Sequence, residues 1–139
     1  MPYGLISLHE EMHLFFTILE FYKRLYPGVK FGKEEKMLTP KETGDVIYTY
    51  AGEEVEGLAA EKMREIIGAL PEYSTPAIAL RKGKKLIVLD GHRRLRVAYK
   101  RGLNWKCLII VPSKAQKFGI EDEAMGTIRE MYAKPAKKR

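Results

Sequence analysis

The segment Asp90-Gly91-His92-Arg93-Arg94 joins a turn to a cluster of positive charge. Aliphatic residues at 86–89 predict a buried strand before the turn, and apolar residues at helical spacing predict a helix after it. The start of a helix presents about half a positive charge, so each cation there is unfavourable by roughly 0.3–1 kcal/mol, whereas an anion is favoured. We therefore expect this segment to bind a phosphate. The expected donors are backbone N–H groups from Gly91 onward and the side chains of His92, Arg93 and Arg94.

The same segment has a simpler interpretation, which the sequence leaves open. Asp90 suits a helix cap and Gly91 suits a tight turn, and basic residues on a short helix often form a solvated face. Lys100 and Arg101, at the far end of this helix, need no ligand because cations suit that terminus.

Apolar periodicity predicts the elements that would position this segment. A length of 139 residues fits one core of ordinary size, so we expect a single α/β domain over residues 1–133. The predicted order is a helix at 8–26, a loop at 28–44, a strand at 46–50, a helix at 58–70, strands at 75–80, 84–89 and 105–111, and a weaker helix at 121–132. Residues 134–139 are predicted to be a disordered basic tail.

Positive charge is concentrated in one part of the chain. Residues 81–101 contain nine Lys and Arg residues and one Asp, and the net charge of the whole chain is +7. This asymmetry indicates a polyanionic partner such as a nucleotide or nucleic acid. The residues expected to contact it are Arg81, Lys82, Lys84, Lys85 and Arg96.

The composition also indicates where in the cell the protein is expected and whether its cysteine is reactive. No apolar run approaches the roughly 20 residues of a membrane span, and the N-terminus lacks the layout of a signal peptide. We therefore expect a cytoplasmic protein with no membrane partner. The single cysteine, Cys107, lies in an apolar run typical of an inert core thiol. Asn104 and Gln116 are the only side-chain amides, a composition that leans towards a thermophile.

The motif and the order of elements resemble the ParB/sulfiredoxin superfamily over about residues 46–112. Residues Gly91 to Ala98 are similar to the Gly-Glu-Arg-Arg-x-Arg-Ala box of ParB amino-terminal domains, with His92 in place of glutamate. The resemblance implies an α+β fold with a small mixed sheet and flanking helices, and a box that binds nucleotide phosphates. Sulfiredoxins carry a catalytic cysteine between the glycine and the histidine, and its absence here excludes that branch.

On this resemblance the chain divides into an N-terminal helix and loop at 1–44, a ParB-like core at 45–112 and a C-terminal helix at 113–133. The leading expectation is a ParB-like protein that binds ATP, ADP or CTP with Mg2+ and associates with DNA in a partition-like or regulatory role. A homodimer is compatible with the sequence. We also expect Arg94→Ala to abolish nucleotide binding while leaving stability nearly unchanged.

Archaeal ADP-dependent free serine kinases are another branch that the chain resembles, through Asp90-Gly91-His92 and Arg94. That resemblance implies a general-base glutamate ahead of the preceding helix, and Glu56 matches its position. Asp90 would then hold magnesium or take part in catalysis. Glu56 also suits a simpler role as a helix-start charge. The alternative is therefore a small-molecule kinase or nucleotide hydrolase, and the sequence leaves open whether the chain is an enzyme.

A third motif, His9-Glu10-Glu11-Met12-His13, satisfies the H-E-x-x-H pattern of zinc hydrolases on a predicted helix. The charged Glu11 is atypical, because such helices usually bury this segment. The third ligand would have to be Glu34 or Glu35, neither of which is in a strong context. Two histidines on a solvated helix face are the favoured interpretation, and we do not expect zinc.

Overall fold

The computed structural model describes residues 5–48 and 56–114, without the side chains of Tyr48 and of residues 56–60. The helices are α1 (Leu8–Leu25), α2 (Pro40–Asp45), α3 (Glu56–Ala69) and α4 (His92–Arg101). The strands are β1 (Phe31–Leu38), β2 (Ile47–Tyr48), β3 (Ala77–Lys82), β4 (Lys85–Asp90) and β5 (Trp105–Pro112). They form one mixed sheet in the order β1-β5-β3-β4-β2, which confirms the expected α+β class.

Parallel and antiparallel pairing alternate across the sheet. β1 runs antiparallel to β5, and β3 runs antiparallel to β4. β5 is parallel to β3, and β2 is parallel to β4. The inner strands β5, β3 and β4 are buried on both faces, which explains why their sequences are almost continuous apolar runs.

Helix α1 covers one face of this sheet. It buries Leu14, Phe15, Ile18, Leu19 and Tyr22 against strand residues that alternate along the three inner strands, namely Ile78, Leu80, Ile87, Leu89, Leu108 and Ile110. A capping box starts the helix, because the Ser7 hydroxyl accepts from the Glu10 N–H and the Glu10 carboxylate accepts from the Ser7 N–H.

The other helices pack on the opposite face. The strand residues of the alternate register, including Ala77, Ala79, Val88, Cys107 and Ile109, form a second core with residues of α3 and α4. Cys107 is fully buried, as expected of an inert thiol. None of the described helices combines the length and the apolar character that crossing a bilayer requires.

The expectation of a loop at 28–44 is wrong, because β1 and all but the last residue of α2 lie within it. Six of the eight residues of β1 are exposed, so this edge strand lacks the apolar alternation that would identify it in the sequence. Its backbone pairing with β5 over the full strand supplies the missing stabilisation. Helix α2 has a local signal that the sequence interpretation passed over, a capping box of Thr39 and Glu42 with Pro40 at the first helical turn.

The remaining described elements lie within two residues of their predicted positions. For the strand predicted at 46–50, the structure places β2 at Ile47–Tyr48, and residues 49–50 are outside the described part. The predicted helix at 121–132 and the predicted tail at 134–139 also lie outside the described residues.

Candidate phosphate-binding site

A β-bulge at the end of β4 determines on which face of the sheet Asp90 lies. Ala79 pairs with Val88 but Ile78 pairs with Asp90, so Leu89 is an extra residue in β4. Residues that pair directly across a ladder share a face, and Ile78 belongs to the core beneath α1. The bulge therefore places Asp90 on the α1 side of the sheet, where its carboxylate interacts with that of Glu11.

Gly91 makes the turn between β4 and α4, and glycine is required there on two counts. Its φ of 97° lies in the left-handed region, which favours glycine. A Cβ at this position would also lie 2.8 Å from the Cβ of Ala77 and 3.0 Å from its Cα. The turn is thus pressed against the first residue of β3.

Arg94 extends from the first turn of α4 into the protein, where its guanidinium has three acceptors. Nη1 donates to the backbone carbonyl of Pro76 at 3.0 Å. Nη2 donates to Asp90 Oδ2 at 3.0 Å and to Glu11 Oε2 at 3.1 Å. The side chain is only 7% exposed. Arg94 therefore links α4, the end of β4, the start of β3 and α1.

Glu11 is the deepest member of this cluster, with no exposed surface. Burial raises the pKa of its carboxyl group well above the ordinary value, and the neighbouring Asp90 carboxylate adds to the rise, although Arg94 opposes it. Burial lowers the pKa of the Arg94 guanidinium, but Glu11 and Asp90 outweigh this and raise it. One guanidinium serves two carboxyl groups, and Glu11, the more deeply buried of the two, is the one whose charged form burial disfavours.

These contacts correct the expected role of Arg94. The sequence predicts that its guanidinium contacts a phosphate, whereas in the structure three protein acceptors surround the guanidinium in the interior. The accompanying expectation that Arg94→Ala would hardly affect stability no longer holds, because that change would leave two carboxyl groups together without a cation. The contact with Glu11 joins positions 83 residues apart, and no local pattern could have indicated it.

Asp90 is a poor fit for a magnesium ligand in this arrangement. Its carboxylate is 3.0 Å from Arg94 Nη2 and interacts with Glu11, and its side chain is 18% exposed. A carboxylate held in this way fixes the turn. The simpler expectation that Asp90 caps α4 is wrong, because the N-cap residue is Gly91 and no described side chain caps this helix.

The remaining residues of the segment, His92 and Arg93, occupy the first turn of α4. His92 is buried and Arg93 is half-buried, and each has at least one interaction within the protein. In the described part of the chain no side chain caps this helix, and its first turn contains no acidic residue. The backbone N–H groups of a first helical turn have no acceptor within the helix, and they carry its positive dipole end.

The residues predicted to contact a polyanion are not equivalent. Arg81 Nη2 lies 3.3 Å from Glu34 Oε1, which draws this side chain towards β1. Lys84 and Lys85 are exposed beside Gly83, whose φ of 62° makes the tight turn of the β3–β4 hairpin. Lys82 and Arg96 are half-buried. Of the five expected cations, the two in the hairpin turn are therefore the exposed ones.

Glu56, the expected general base of the kinase alternative, is the first residue of α3. Its side chain lies outside the described part, so its role stays a prediction. Helix α3 packs against α4, the helix that begins at the Gly91 turn.

The H-E-x-x-H motif lies on α1, with both His9 and His13 exposed, as the solvated-face interpretation expects. Glu10, which would activate water in a zinc hydrolase, accepts from the Ser7 N–H at 2.9 Å in the capping box. Over the described ranges, no group of three or more potential metal-ligating residues occurs.

Comparisons with protein-family models, with curated proteins and with solved structures find no match to this chain. The likeness to ParB and sulfiredoxin therefore rests on the sequence motif and stays a prediction.

Proposed function

We propose that this protein is a nucleotide-binding domain of ParB-like type, in which the first turn of α4 holds a phosphate group. The observation that carries the proposal is a ten-residue helix that begins at a glycine turn with no side-chain cap and no acidic residue, but with basic residues in its first turn. Backbone N–H groups at such a terminus favour an anion.

The structure changes which residues we assign to the phosphate. Backbone N–H groups of Gly91, His92 and Arg93 are the primary donors, with the half-buried Arg93 as the charged side chain. Arg94 is a positioning residue, because it holds the turn against Pro76, Asp90 and α1. The close approach of Gly91 to Ala77 fixes the turn from the β3 side.

We propose binding rather than phosphoryl transfer. Transfer would need a carboxylate for the metal and a base beside the acceptor hydroxyl. Asp90 is engaged by Arg94, which leaves the first of these roles without its expected residue. Binding to DNA, through the exposed Lys84 and Lys85, stays a prediction of the charge distribution.

Calorimetric titration with ATP, ADP and CTP in magnesium buffer tests the proposal. Arg93→Gln should weaken nucleotide affinity about 10-fold, because charge-assisted hydrogen bonds contribute roughly 1.5–3 kcal/mol. Lys100→Gln is the matched control, since it removes one positive charge from the opposite end of the same helix. Equal weakening by both variants would indicate unspecific charge attraction, and the absence of binding by all three nucleotides would refute the proposal. Phosphoserine formed with added serine would favour the kinase alternative.

A further inference from the structure

A cavity of about 700 Å3 opens at the end of the sheet where β5 begins. It lies between the C-terminal part of α3, the connection from α3 to β3 and the connection from α4 to β5. Leu8 of α1 and Met37 of β1 stand at its border, and both are more than half exposed. Cavities of 300–1,000 Å3 with apolar walls are typical of small-molecule sites.

The aromatic part of the wall is already fixed by the protein's own hydrogen bonds. The Trp105 indole N–H donates to the backbone carbonyl of Thr75 at 2.8 Å. The Tyr73 hydroxyl donates to the carbonyl of Ile6 at 2.9 Å. Their ring centroids lie 6.4 Å apart. Because the polar atoms of both rings are satisfied and both residues are buried, the rings form a fixed base of the cavity, and the accessible apolar surface around them comes from residues such as Ile67 and Leu70.

The charged residues that line the cavity in the described part of the chain are all positive. Arg101, in the last turn of α4, and Lys106 line the cavity, and no Asp or Glu does so among the described residues. Lys106 is in the same register as Leu108, on the α1 side of the sheet, and its Nζ is 3.4 Å from Glu35 Oε1, so Arg101 is the cation on the Trp105 side of the cavity. An apolar cavity with this cation and no described carboxylate is complementary to an anion with an apolar body.

The geometry points to a binding site for an amphiphilic carboxylate. Its apolar body would lie against Ile67 and Leu70 above the Trp105 ring, and its carboxylate would lie beside Arg101. This inference is independent of nucleotide binding at the Gly91 turn, since the cavity is lined by none of the residues of the 90–94 segment.

The single tryptophan of the chain, Trp105, provides the readout. Octanoate, 1-octanol and octylammonium share one apolar chain and carry a negative, a neutral and a positive headgroup, so their titrations compare headgroup charge. A titration with 3-phenylpropanoate tests whether the cavity accepts an aromatic carboxylate. We expect Trp105 emission to change saturably with the two carboxylates, with affinity about 10-fold above that for 1-octanol and with octylammonium weakest. Inorganic phosphate, an anion without an apolar body, should give no change.

Arg101→Gln tests the assigned headgroup contact, and Lys100→Gln is its control, because Lys100 is the adjacent exposed cation and does not line the cavity. Arg101→Gln should weaken octanoate binding about 10-fold and leave 1-octanol binding unchanged, whereas Lys100→Gln should alter neither. Equal affinities for octanoate and 1-octanol, equal effects of the two variants or an unresponsive Trp105 would overturn the inference. Unchanged urea midpoints would show that both variants are folded.

Discussion

Arg94 and Glu11, which are 83 residues apart in the chain, meet in the interior with Nη2 3.1 Å from Oε2. The contact ties the N-terminal helix to the helix that follows the Gly91 turn, although the two helices cover opposite faces of the sheet. Asp90 joins the contact because the bulge in β4 brings it to the α1 side. The long first helix is thus part of the support of the proposed phosphate site.

Removal of the Arg94 guanidinium should destabilise the protein strongly. Arg94→Ala would leave Glu11 and Asp90 without their cation and the Pro76 carbonyl without its donor, a loss of about 3–5 kcal/mol in the free energy of unfolding. Urea unfolding measures the change. Lys100→Ala, at an exposed site of the same helix, should stay within about 0.5 kcal/mol of the wild type. Equal stability of the two variants would contradict the buried cluster.

The raised pKa of Glu11 predicts a pH dependence of stability with a definite sign. The folded state holds the Glu11 proton more tightly than the unfolded state, whose pKa is near the ordinary value of 4.5. This contribution is present below that value and is lost as the pH rises through the folded-state pKa. Relative to Glu11→Gln, which cannot ionise, the wild type should therefore lose stability as the pH rises from the ordinary carboxyl range towards and through the raised folded-state pKa. Urea unfolding of both proteins over this range gives the difference, and a constant or opposite difference would show that the Glu11 pKa is not raised.

Gly91→Ala should reduce stability by more than the same change at Gly102. Both glycines have a positive φ, which costs an L-residue roughly 1–2 kcal/mol. A new Cβ at Gly91 would also overlap Ala77, whereas at Gly102 it meets no atom within 4 Å. The double variant Ala77→Gly/Gly91→Ala should recover part of the loss, as measured by thermal unfolding. Equal losses at the two glycines would indicate that the close approach to Ala77 is unimportant.

Cys107 should be inert in the folded protein. Burial raises the pKa of its thiol to about 12, so the reactive thiolate is scarce at neutral pH. An aromatic disulfide reagent should label it only as fast as the protein unfolds, and labelling in urea should follow the unfolding curve. Rapid labelling without denaturant would contradict the buried position.

Sequence patterns located α1, α4 and the inner strands because each has a strong apolar period or an uninterrupted apolar run. They failed at β1, where polar side chains dominate and Glu34 and Glu35 form ion pairs with Arg81 of β3 and Lys106 of β5. Such an edge strand is specified by pairing with β5, which is distant in sequence.

At the candidate site, local sequence signals predicted the turn and its glycine, but they did not predict which way the Arg94 side chain points. Its side chain points inward because its acceptors Glu11 and Asp90 lie in the interior. The positions of these two carboxyl groups depend on the packing of α1 and on the extra residue in β4. The charge of Glu11 argued against burial of this helix segment in a zinc site, yet the residue is fully buried. Tertiary contacts of this kind override local patterns.

Proton–nitrogen correlation spectra of the labelled protein test the central claim most directly, because they observe the backbone N–H groups proposed to hold the phosphate. During titration with the nucleotide that binds in calorimetry, the amide resonances of Gly91, His92 and Arg93 should shift together and saturate at the calorimetric affinity. Resonances of Lys100 and Arg101, at the other end of α4, should shift much less. Unmoved resonances of the Gly91 turn beside large shifts elsewhere would contradict the proposed site.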